Sequence, residues 1–86
     1  MLSAMHRIYF DTNEASYDED GGCRYDLSLP SSMRDLASIE EPRDGMRVVI
    51  YMTRELEMEA TLEFDVKLGH WMARPIEGTT RYPEAL

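Results

Sequence analysis

The chain has 86 residues, 43% of them hydrophobic and eight aromatic, with nine basic against seventeen acidic side chains and a formal net charge of −8. That length makes one domain, too small for two cores, and the hydrophobic fraction separates it from disordered chains. An acidic field of this size repels phosphate backbones and anionic headgroups, so a nucleic-acid partner and a membrane partner are both disfavoured.

Cys23 is the only cysteine. An intramolecular disulfide is therefore excluded, and a reducing, cytoplasmic setting is expected. Met1 to Phe10 carries no apolar stretch of signal-peptide length, since His6 and Arg7 interrupt it, and Val48 to Met52 is far too short to span a membrane. A single domain over 1–86 is the expected organisation.

In chain order, residues 5–11 have the β-branched and aromatic character of a first strand, with a blurred inner face at Ile8, Tyr9 and Phe10. Residues 12–22 are polar, acidic and end in Gly21-Gly22, which reads as a long acidic surface loop. Cys23 to Leu29 alternates cleanly, with Cys23, Tyr25, Leu27 and Leu29 on one face. Pro30 closes that strand. Ser32 followed by Asp35 matches a capping box and predicts a short helix over Ser32 to Glu40, ended by Pro42 and the Asp44-Gly45 turn.

Met46 to Met52 and Leu56 to Lys67 are the next strands, and the second is the strongest signal in the chain. Leu56, Met58, Ala60, Leu62, Phe64 and Val66 share one parity, and Glu57, Glu59, Thr61, Glu63, Asp65 and Lys67 share the other. A three-residue loop, Thr53 to Glu55, pairs Met52 with Leu56, Ile50 with Met58 and Val48 with Ala60, which keeps both inner faces apolar; a two-residue loop mixes them. A hairpin around Leu68-Gly69 then pairs Val66 with Trp71 and Phe64 with Ala73, which places Trp71 in the core and Glu63 across from Arg74. Residues 78–86 show no period and read as a short turn or a frayed tail.

These elements predict a mainly β fold: a small five-stranded SH3-like barrel or a curved antiparallel sheet with one short helix, the alternative being an α+β two-layer arrangement. The acidic loop does not follow the order of a calcium loop, because Ser16 stands where glycine is needed. Cys23, His6 and His70 form no local nucleophile or zinc pattern, so no catalytic residue, metal or cofactor is assigned. Two groups suit a partner. Glu14, Tyr17, Asp18, Glu19 and Asp20 suit a basic protein or peptide. Val49, Tyr51 and Met72 are directed outward by the strand register and form an expected exposed apolar patch. The expected function is a small non-catalytic module that binds a basic protein or peptide, or self-associates as a homodimer. The alternative is a small enzyme or metal-dependent accessory protein using the acidic loop.

Overall fold

The alternation that begins at Leu56 builds the central strand of a six-stranded sheet in a computed structural model that describes residues 5–83. In chain order the elements are β1 (Arg7–Tyr9), a 3-10 turn (Thr12–Glu14), β2 (Ala15–Tyr17), β3 (Cys23–Asp26), α1 (Pro30–Ala37), β4 (Arg47–Met52), β5 (Leu56–Asp65) and β6 (His70–Pro75). The sheet order is β1-β4-β5-β6-β3-β2. β1 runs parallel to β4, and the other neighbours are antiparallel. The parallel pair is reached through the long connection carrying β2, β3 and α1, as a parallel pairing requires.

Among the described residues the fold is mainly β with one short helix, but the strands do not close. β1 and β2 are the two edges of an open mixed sheet, so the expected SH3-like barrel does not form. Its strong curl has a covalent cause. A flat sheet of this order would separate β1 from β2 by five strand spacings, about 24 Å. The six chain steps from Tyr9 to Ala15 reach about 20–22 Å when fully extended, and the 3-10 turn among them shortens that reach. The sheet must bend, and it brings the Phe10 ring to 4.8 Å from that of Tyr25 on β3. Ile8, Phe10, Leu27, Val48, Ile50, Ala60, Leu62 and Ala73 fill the concave side, joined by Leu36 and Ile39 from α1 and the residues after it.

The β4–β5 hairpin has the expected register, Met52 with Leu56 and Val48 with Ala60. Arg54, at φ 64°, takes the left-handed position where a hairpin of this length ordinarily has glycine. The β5–β6 hairpin differs. Trp71 lies opposite Phe64 and Leu62 opposite Ala73, a slip of two residues from the expected pairing. The cause is Asp65, whose carboxylate accepts the N–H groups of Lys67 and Leu68 and ends the strand there. Val66 is left in the turn, 83% exposed. Because a slip of two preserves parity, Trp71 stays on the inner side, half-buried against the core.

Three further expectations change. The helix begins at Pro30 and ends at Ala37, and its N-cap Leu29 makes no side-chain bond, so Ser32 and Asp35 are not a capping box. Proline at the first turn needs no N–H partner there, which lets the helix start earlier. The 12–22 stretch is not wholly loop, since it contains β2. Of the 78–86 tail, Arg81 pairs with Glu57 on β5, while residues 84–86 lie outside the described residues.

Candidate functional site

The outer face of the sheet carries the acidic parity of β5, and it is covered with ion pairs rather than bare carboxylates. Arg7 and Arg81 both reach Glu57, Arg47 holds Glu59 at 2.7 Å, Arg24 holds Asp65 at 2.9 Å, and His70 meets Asp26 at 2.7 Å. The Glu63–Arg74 pair forms at 2.5 Å although the register is displaced, because a diagonal neighbour is still in reach of a long side chain.

This lattice removes one of the two expected partner groups. Val49 is only 6% exposed and Met72 is fully buried, although both point to the outer face as expected. Val49 lies between Arg7 and Glu59, and Met72 between Glu63 and Asp26, each neighbour engaged in an ion pair, so neither stands in an exposed apolar patch. Tyr51 is not the exposed aromatic either. Its hydroxyl donates to the Asp35 carboxylate at 2.9 Å, its ring packs edge-on against Tyr9 at 5.9 Å, and the Arg7 guanidinium lies 4.9 Å above it. Burial, then the Asp35 carboxylate, push its phenol above the usual tyrosine range.

The other group is largely assembled. The turn between β2 and β3 is built on Asp18, whose carboxylate accepts the N–H groups of Asp20 at 3.0 Å and Gly22 at 2.7 Å. Gly21 takes φ +83°, a conformation that favours glycine, and a Cβ on Gly22 would stand 2.5 Å from the Arg74 guanidinium, so a side chain there would displace the arginine head from the turn. Arg74 then bonds Asp18 at 2.6 Å. The hydrogen bond from Arg74, then that from the Gly22 N–H, hold the Asp18 carboxyl below the usual range. Asp65 is likewise lowered, first by the Leu68 N–H and next by Arg24.

Between this turn and the end of β5 lies an open cleft of about 480 Å³, lined by Tyr17, Asp18, Glu19, Asp20, Arg24, Phe64, Asp65, Val66 and Lys67. Tyr17 is 70% exposed and Phe64 40%, with the Phe64 ring edge-on to Trp71 at 5.2 Å. Among the described residues Asp20 meets no cation, and Glu19 meets only the exposed Lys67, at 3.9 Å. Four of the five loop residues singled out in the sequence therefore share one cleft. Glu14 does not; it sits half-buried in the 3-10 turn. The opposite wall, Phe64 to Lys67, was missed. Its only signal is Asp65 followed by the Leu68-Gly69 turn, which stops the strand early and exposes Phe64.

A second hollow of about 450 Å³ borders half-buried Cys23, with Arg74, Pro75, Ile76, Glu77, Gly78 and Thr80. Neither histidine lines it. Among the described residues no group of His, Cys, Asp and Glu is arranged to hold a metal ion. Comparison with family models, with curated proteins and with solved structures gives no match.

Asp18, Asp65 and Asp26 all titrate below their ordinary range; at Asp26 burial pushes upward but bonds from Ser28 and His70 outweigh it. As pH falls, the unfolded chain takes up these protons first, so the stability they contribute is present above the unfolded value and lost through the lower folded values. The thermal midpoint should be level between about pH 7 and 5 and fall below about pH 4. A midpoint unchanged at about pH 2 would show that the pairs add nothing to folding.

Proposed function

We propose that this protein is a small acidic, non-catalytic interaction module whose cleft between residues 17–20 and 64–67 takes a protein or peptide partner of basic character. The supporting observation is the side-by-side placement of exposed Tyr17 and Phe64 with the carboxylates of Glu19 and Asp20. Aromatic surface supplies contact area, and the carboxylates of Asp20, which meets no cation among the described residues, and of Glu19, held only by an exposed lysine at 3.9 Å, favour a cationic partner. A catalytic reading has less support. The cleft is shallow, and Asp18 and Asp65 are held ionised by their partners, which is the opposite of what an acid catalyst at neutral pH needs. A cytoplasmic location belongs to the same reading, supported by the free thiol of Cys23.

The test is an amide-shift titration with the blocked peptide Val-Arg-Val-Arg-Val-Arg-Val. Saturable shifts at residues 17–20 and 64–67 are expected. Replacing both Glu19 and Asp20 with Lys should weaken binding by about tenfold or more, most strongly at low salt, and leave the melting temperature unchanged. Equal binding by that variant would remove the carboxylates from the reading.

A further inference from the structure

The two edges of the sheet are finished differently. On β1, the Tyr9 N–H donates to the Asp35 carboxylate at 2.9 Å, and the Tyr9 carbonyl accepts the Ser32 hydroxyl at 2.5 Å. Helix α1 thereby occupies hydrogen-bonding groups that would otherwise recruit another strand. β2 has no such cover from the described residues. Among the described residues no strand lies beyond it. The Asp18 N–H bonds the Gly22 carbonyl at 2.9 Å, which sets the alternation of the β2–β3 ladder. The N–H and C=O groups of Ser16 therefore face β3, and those of Ala15 and Tyr17 face away from the sheet. Ala15 is already extended, at φ −70° and ψ 141°.

We propose that β2 is a strand-addition site: an extended segment of a basic partner pairs antiparallel with Ala15–Tyr17 and continues the sheet. This rests on the acidic wall of the cleft, residues 17–20, and adds the binding mode there; β3 and β6 lie between β2 and residues 64–67, so the added segment acts on that far wall only through the Glu19–Lys67 contact. The segment would set apolar side chains beside Tyr17 and basic ones on the Ser16 side, where β2 runs into Asp18, Glu19 and Asp20. A second copy of this chain suits the edge poorly. Pairing about Ser16 would place Glu14 opposite Asp18, and like charges directly opposite destabilise a ladder. Each copy would also bring a charge of −8 to the interface.

Two N-methylated forms of the same blocked peptide separate the outcomes. In antiparallel addition the Val residues lie opposite Ala15 and Tyr17 and their N–H groups face β2, while the Arg N–H groups face solvent. Methylating the Val nitrogens should weaken binding by about tenfold or more, and methylating the Arg nitrogens should change it by no more than about twofold. Both forms binding like the parent would overturn strand addition and leave the cleft reading standing, provided the shifts remain at 17–20 and 64–67. The reverse selectivity would overturn the antiparallel arrangement. No binding of the parent peptide would remove the cleft reading and strand addition together. A dimer by sedimentation, with β2 amides protected in the absence of peptide, would overturn the choice of occupant.

Discussion

Replacing Phe10 with Ala is expected to lower the unfolding free energy by about 3–5 kcal/mol, a large part of what a domain of this size possesses. Phe10 is fully buried, its N–H donates to the Tyr51 carbonyl at 3.0 Å, and its ring meets that of Tyr25 at 60°. It belongs to the short connection that forces the sheet to curl, so its loss empties the place where the chain leaving β1 packs against Tyr25 of β3. Urea unfolding followed by circular dichroism measures the change. Tyr25→Leu combined with Phe10→Ala should show a coupling of about 0.5–1.5 kcal/mol for the ring contact. Trp71→Ala, at a half-buried position beside the β5–β6 turn, should cost less. A Trp71 loss equal to that of Phe10 would move the stabilising contact to the other end of the sheet.

Asp35→Ala is the second large effect, expected at about 2–4 kcal/mol. One carboxylate oxygen accepts both the Tyr9 N–H and the Tyr51 hydroxyl, each at 2.9 Å, so removal strands two part-buried donors at once. Asp35→Asn keeps an acceptor of nearly the same shape and should lose less, while Tyr51→Phe removes one of the two donors and should cost about 1 kcal/mol. The alanine variant also uncovers the β1 edge, and concentration-dependent association by sedimentation should accompany the loss. Melting of Asp35→Ala at the wild-type temperature would show that α1 does not secure this edge.

The ionic lattice and the edge caps explain which features were legible before folding was considered. The β4–β5 register could be read because a shift by one residue turns every apolar side chain to the wrong face. The β5–β6 register could not, because a shift by two keeps every face and changes only the partners; the turn built on Asp65 decides it. β2 was hidden in a polar stretch, since a three-residue edge strand needs no apolar face of its own and Ala15-Ser16-Tyr17 has little pattern to show. Ser32 and Asp35 have the spacing of a capping box and serve instead to close the β1 edge, a use visible only once β1 lies beside the helix.

Within the candidate site, Tyr17, Asp18, Glu19 and Asp20 were evident from composition because they are consecutive. Phe64 to Lys67 join them only through the fold, and Val49 and Met72 leave the surface only through it. Alternation by itself determined which face of the sheet the side chains of β3, β4, β5 and β6 take, along with the mainly β class, and composition determined the acidic character of the molecule. Exposure on that face was decided by tertiary structure, because it depends on whether arginines from other strands lie across the position. Parity is a property of one strand; cover, curl and open edges are properties of strands brought together, and they depend on connection lengths and ion pairs between residues far apart in the chain.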